Sequence, residues 1–141
     1  MILIITNRGD YTADFLILRL QELKVPYVRI NTEDFPFYAL AVVSPSEKRL
    51  TLEKSGRRVD LSEAEGVWYR RPENPVFPND FDPDSRDFVN RESREFLEGL
   101  WRCTGRLWVN HPDKIRIAGN KIEQLNRMAA MGLRIPATVV T

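Results

Sequence analysis

Ile2-Leu3-Ile4-Ile5, then Asn7-Arg8-Gly9-Asp10, then Ala13, Leu16, Ile17, Leu20 and Leu23, and finally Tyr27-Val28-Arg29-Ile30: the reading of this opening stretch decides the fold. The first run is continuously apolar and of strand length, as expected of a strand buried on both faces. The next apolar residues are spaced as one face of an amphipathic helix. Lys24-Val25-Pro26 closes that helix, and Tyr27 to Ile30 reads as a second strand running out in Asn31-Thr32-Glu33-Asp34. A strand, a helix and a strand of these lengths imply parallel pairing through a right-handed crossover. The expected fold class is therefore α/β, with a mostly parallel, Rossmann-like sheet flanked by helices.

Beyond this unit the pattern changes. Ala39 to Val43, Arg49 to Glu53 and Arg58 to Leu61 are short alternating runs separated by Ser44-Pro45-Ser46 and Lys54-Ser55-Gly56, which predicts an antiparallel meander inserted around residues 39–61. Gly66-Val67-Trp68-Tyr69-Arg70 resumes a buried strand. Pro72, Pro75 and Pro78 then force an extended loop, because each lacks an N–H donor and restricts its predecessor. From about Asp84 to Thr104 the spacing is helical, with Val89, Phe96, Leu97, Leu100 and Trp101 inward and the pairs Asp87/Arg91 and Glu98/Arg102 on the solvated face. Gly105 is the expected terminator, and Leu107-Trp108-Val109 the fourth core strand, ending in the turn Asn110-His111-Pro112. A third helix opens at Asn120, a good N-cap, with Glu123 completing a capping-box-like arrangement. Gly132 supplies the left-handed cap, and Pro136 opens the start of a further strand toward Thr141.

Bulk properties narrow the function classes. With 21 Lys+Arg against 20 Asp+Glu the net charge is +1, so no global field draws the chain to nucleic acid or an anionic membrane. One cysteine, Cys103, excludes an internal disulfide, and one Cys with one His cannot build a zinc site. No metal ligands are assigned, and the cytoplasm is the expected compartment. The apolar start is too short for a signal peptide, and no stretch approaches the ~20 apolar residues of a membrane span.

If the four core strands are parallel, their carboxyl ends bring Asn7 and Arg8, Asn31, Arg70 and Arg71, and Asn110 to one edge, where open α/β sheets bind ligands. That rim suits a carboxylate, a phosphate or a peptide backbone, and these six residues are the candidate substrate-binding set. Arginine pairs also serve in surface bridges, here to an acid such as Glu73. His111 lacks a nucleophile or carboxylate partner in the sequence and reads as a hydrogen-bonded turn residue; Cys103 reads as packed, and no catalytic residue is assigned. Asp80, Asp82, Asp84 and Asp87 gather at a helix start, where the macrodipole favours negative charge. Lys121 breaks that rule, since it places a cation in a first helical turn, at a cost of about 0.3–1 kcal/mol. A bound phosphate beside free backbone amides would explain it, as would a lysine extended into water. Neither a three-glycine dinucleotide fingerprint nor a Walker-type loop is present.

Asn120-Lys121 opening a helix, followed by Gly132-Leu133-Arg134-Ile135-Pro136-Ala137-Thr138, resembles the junction between the pre-ATP-grasp and ATP-grasp domains of carboxylate ligases. Arg29-Ile30-Asn31-Thr32-Glu33-Asp34-Phe35-Pro36, Val67-Trp68-Tyr69-Arg70-Arg71-Pro72 and Trp108-Val109-Asn110-x-Pro112 together resemble the graspetide, microviridin-type, peptide maturases. The resemblance implies a pre-ATP-grasp domain over residues 1–118, and a junction helix and first strand over 119–141 leading into an ATP-grasp domain. It also implies an ATP-dependent ligase that forms ester or amide cross-links in a ribosomal precursor peptide through an acyl phosphate, with ATP and Mg²⁺ as cofactors and Lys121 near the phosphates. The partners so implied are the precursor peptide and, optionally, a second copy of the chain. These residues alone are expected to be inactive, because one lysine cannot position and neutralise a phosphoryl transfer. The alternative is a stand-alone α/β module that binds a peptide or acidic metabolite without catalysis.

Overall fold

The computed structural model describes residues 1–38, 40–44, 46, 49–54, 56–103 and 107–139. It divides into two compact units, Met1–Val109 and Asn110–Thr141. In the first, β1 (Ile2–Thr6), β2 (Tyr27–Asn31), β6 (Gly66–Tyr69) and β7 (Leu107–Val109) form a four-stranded sheet in the order β2-β1-β6-β7, with every pairing parallel. A separate antiparallel sheet holds β3 (Leu40–Ser44), β4 (Arg49–Lys54) and β5 (Arg57–Asp60), as the alternating runs require. The turn residues Pro45 and Ser55 and the terminator Gly105 lie outside the described residues.

The continuous apolar run of β1 is explained by what lies on each side. Leu3 and Ile5 point toward one cluster and Ile4 toward the other, and all three are wholly buried. On the first face α2 (Arg86–Cys103) supplies Leu97, Leu100 and Trp101, which meet Ile30 and Val67. On the second, α1 (Tyr11–Glu22) supplies Ala13 and Leu20. Full burial of each β1 side chain contributes about 1.5–3 kcal/mol, so this strand anchors both layers. Phe96, expected inward, is 39% exposed and instead stacks flat on Phe35, with ring centroids 5.3 Å apart. Glu98 pairs with Arg102 as the spacing implies, whereas Arg91 reaches Glu92 rather than Asp87. β7 is one of the two edge strands of this sheet, β2 being the other, and its Leu107 and Val109 are 66% and 52% exposed.

Packing and an ion pair tie the meander to the main sheet. Leu52 joins the buried cluster beside Leu61, and Lys54 reaches Asp34 in the 3₁₀ turn that follows β2. Asp34 is 1% exposed and is also bonded by Arg8 from the end of β1. Burial alone would push this carboxyl up, but the hydrogen bonds and charges of Lys54 and Arg8 outweigh it and hold it below the usual carboxylate range. Phe37, Phe77 and Phe81 form a separate aromatic contact, with centroids 4.8–5.3 Å apart, between the segment after β2 and the proline loop.

In the second unit a helix absent from the sequence expectation, α3 (Pro112–Gly119), precedes α4 (Lys121–Ala130). His111 caps α3, its Nδ1 accepting the Asp113 N–H at 3.2 Å, and Pro112 takes the first helical position. Asn120 caps α4 by accepting the Glu123 N–H at 3.0 Å. The reciprocal half of the capping box is not made, because the Asn120 N–H goes to the Ile117 carbonyl and the Glu123 carboxylate to Arg127. Gly132, at φ 74°, ends α4 in a Schellman motif, its N–H bonding Ala129 and that of Leu133 bonding Met128. Residues 133–139 form no strand, and Val140 and Thr141 lie outside the described residues. Among the described residues no helix is long and apolar enough to cross a membrane.

Two outcomes follow for stability. Trp101→Ala should lower the unfolding free energy by about 3–5 kcal/mol in urea titrations, the range for deleting a buried large aromatic side chain. The lowered Asp34 pKa means that the unfolded chain takes up its proton first. Its stabilising contribution is therefore full above the unfolded value of about 3.9 and is lost as pH falls through the lower folded value. Urea midpoints measured from pH 6 to pH 3 should fall less steeply for Asp34→Asn than for the unaltered chain.

Candidate functional site

The order β2-β1-β6-β7 sends the chain from β1 to one side and later to the other, which makes the gap between the carboxyl ends of β1 and β6 a topological switch point. Thr6 to Arg8 leave β1 there, and Arg70 and Arg71 leave β6. The register sets Thr6 opposite Asn31 and Ile5 opposite Tyr69, so the sequence-derived rim residues of the first unit lie along one edge.

Most of their functional groups are already engaged. Asp10, 3% exposed, is the hub: Oδ2 accepts the Thr6 hydroxyl at 2.6 Å and Arg70 Nε at 3.1 Å, while Oδ1 caps α1 by accepting the N–H groups of Thr12 and Ala13. Burial raises the pKa of this carboxyl, but the Thr6 hydroxyl, the Ala13 amide and Arg70 together hold it below the ordinary value. Arg70 also donates to the Thr12 hydroxyl at 3.1 Å and lies over the Trp68 ring. The acid that receives Arg70 is thus Asp10, not the sequence-adjacent Glu73. Arg29 spans the same edge, bonding Asn31 Oδ1 at 2.8 Å, the Asn7 carbonyl and Asp14. Arg8 is bound to Asp34, and its own N–H is accepted by Glu33, a buried acid whose Oε2 takes no bond from any described residue.

Arg71 differs from these. Among the described residues its guanidinium has no ion pair or hydrogen bond, and the residue is exposed. Its backbone sits in the left-handed region at φ 45°, a conformation that costs a non-glycine residue about 1–2 kcal/mol, with Pro72 next in the chain. Asn7, 6% exposed, holds it there by donating Nδ2 to the Arg71 carbonyl at 2.8 Å. The two rim residues thus work as a pair, the buried asparagine fixing the path on which the arginine is displayed.

Sequence reasoning missed Asp10, Asp34, Arg29 and Lys54 as parts of this edge. Only Asp10 carried a local signal, as an N-cap residue three positions before Ala13. The ion pairs of the others join residues at least fifteen positions apart. In the second unit Asn110, the residue after β7, is exposed. Lys121 takes the first position of α4 and donates to Gln124 Oε1 at 3.1 Å. The Cys103 side chain lies outside the described residues. Asp82 caps the 3₁₀ turn before α2, and its bonds from Ser85 and Asp84 lower its pKa.

The chain is similar to several solved ligases. The macrocyclase MdnB from Microcystis aeruginosa MRC is 29% identical, with a TM-score of 0.82 over 98% of this chain and 46% of its own. A RiPP-associated ATP-grasp ligase of Chryseobacterium gregarium, in complex with ADP and a leader and core peptide, is 25% identical, with a TM-score of 0.83 over 96% of this chain and 42% of its own. The macrocyclase MdnC from Microcystis aeruginosa MRC, bound with the precursor peptide MdnA, shares the fold at 24% identity, with a TM-score of 0.90 over 99% of this chain and 47% of its own. The chain thus spans less than half the length of each. No curated protein sequence matches it. The family model of the MvdD pre-ATP grasp domain matches residues 1–116, and a parallel sheet with an inserted antiparallel meander is the fold expected of it; the chain belongs to the MvdD pre-ATP grasp domain family.

Proposed function

We propose that this chain is the N-terminal domain of an ATP-dependent ligase that cross-links side chains of a ribosomal precursor peptide by ester or amide bonds. The family match over residues 1–116 carries the reading, supported by likeness to two ligases at 25% identity or more. In this reading residues 119–141 form the junction to the ATP-grasp part, and the enzyme works in the cytoplasm without a nucleic-acid or membrane partner.

Within the domain, Arg71 is the residue we assign to a substrate carboxylate or phosphate. Its guanidinium has no other partner among the described residues, and Asn7 fixes its backbone at the switch point. Arg70, held by Asp10, acts as a positioning residue that keeps the end of β6 on β1. In ligases of this type ATP supplies the phosphoryl group that turns a carboxylate into an acyl phosphate, which a hydroxyl or amine then opens. Toward the phosphates of ATP the described residues would offer Lys121 with the first amides of α4. Among them no group of three or more His, Cys, Asp or Glu side chains is arranged to hold a metal ion.

The purified chain, incubated with ATP, Mg²⁺ and a precursor peptide, should produce no mass loss of one water per cross-link; robust turnover would sink the reading of an incomplete half. In a polypeptide that joins this domain to its ATP-grasp part, Arg71→Ala should reduce kcat/KM about tenfold or more, the loss of one charge-assisted contact, without changing the urea midpoint. Arg70→Ala should instead lower the midpoint. Equal activity of Arg71→Ala and the unaltered enzyme would remove the assignment.

A further inference from the structure

Beside the switch point, on the α2 side of the sheet, a cleft of about 280 Å³ opens between α2 and the proline loop. Leu97 and Trp101, 8% and 2% exposed, line it together with Tyr69, the last residue of β6; Glu73, Arg94 and Glu98 stand around it. Its loop wall is pinned. The Thr32 hydroxyl accepts the Glu73 N–H at 2.7 Å and donates to the Glu73 carbonyl at 2.8 Å, and the Val76 N–H bonds the Glu33 carbonyl at 3.0 Å. Pro72 and Pro75, with φ fixed, complete a wall that needs little ordering when something binds.

The chemistry of the lining selects the occupant. The cavity lies below the range typical of drug-sized ligands, so it suits one residue rather than a nucleotide. Arg94 and Glu98 are joined at 3.3 Å, and Glu98 also receives Arg102 at 3.4 Å, while Glu73 has no ion pair among the described residues. Charges of both signs surround the cleft, and this arrangement does not single out an acidic or a basic side chain. Uncommitted among the described lining groups are the Glu73 carboxylate, the Tyr69 hydroxyl, the Asn74 side-chain amide and the Trp101 indole N–H, so both acceptors and donors face the cleft. A peptide group offers the complementary donor and acceptor, and buried leucine and tryptophan favour an apolar side chain next to it.

We propose that this cleft binds one large apolar residue, of leucine to phenylalanine size, of the substrate peptide, its side chain against Leu97 and Trp101 and its backbone amide held by Glu73 and Tyr69. The proposal rests on the peptide-ligase reading, which supplies the peptide. Its test reads neither ATP nor ligation.

The ¹⁵N-labelled chain would be titrated with acetyl-Gly-X-Gly-amide peptides in which X is Phe, Leu, Ala, Lys or Glu, following the Trp101 indole and the Leu97 and Tyr69 amides by NMR. Phe and Leu should shift these signals and bind about tenfold more tightly than Ala, Lys or Glu, as burial of a large apolar side chain implies. Tyr69→Phe and Glu73→Gln keep the cleft's shape and should each weaken Phe binding roughly three- to tenfold, the value of one hydrogen bond. Equal shifts from Lys or Glu, shifts that map away from the cleft, or variants that bind like the unaltered chain would overturn the proposal. Ligation by the joined enzyme alongside any of those results would leave the ligase reading standing and remove only the cleft.

Discussion

One buried carboxylate holds the candidate site together. Asp10 receives the hydroxyl of Thr6 at the end of β1, two amides at the start of α1, and the guanidinium of Arg70 from the end of β6. A carboxylate this far from water is tolerated only because every direction around it presents a donor. The three elements it joins are those that bound the switch point, so the separation of the two strand ends is set by hydrogen-bond lengths rather than by loop flexibility. Asn7 continues the same linkage one residue further, to the carbonyl of Arg71.

The charges of the chain fit this picture. A net charge of +1 conceals close ion contacts: Arg8 and Lys54, two cations on the one acid Asp34, with Arg29 on Asp14 and Arg70 on Asp10. These pairs bring together segments far apart in sequence, and their acids at positions 10 and 34 are almost wholly buried. The edge that looks basic in sequence is therefore mostly neutralised scaffold. Among the described residues of this edge, the Arg71 guanidinium alone is uncommitted, which distinguishes it from its neighbours.

Periodicity makes the frame legible in the sequence itself. A continuous apolar run identified β1 as buried on both faces, alternation identified the meander, and helical spacing identified α1 and α2. Glycine at the end of α4 was readable because a left-handed cap leaves few other choices. Less legible was α3, whose cap is a histidine and whose eight residues are too few to show a clear apolar stripe. The division of labour between Arg70 and Arg71 was not legible either. Both follow the same strand, and only the position of Asp10, sixty residues earlier, separates a structural guanidinium from a displayed one. The Phe37, Phe77 and Phe81 contact is equally invisible in one dimension, because its members come from two irregular segments.

The brevity of β7 has a consequence for the domain as a material. Its three residues, Leu107 to Val109, are apolar, uncharged and on the open margin of the sheet, a combination that in a longer strand would recruit neighbouring molecules into fibrils. A three-residue margin offers too few ladder bonds to hold an incoming strand against the entropy of fixing it. A sheet that ends in three apolar residues thus offers an incoming strand little ladder to pair with, a protection of length where other proteins use lysine or proline.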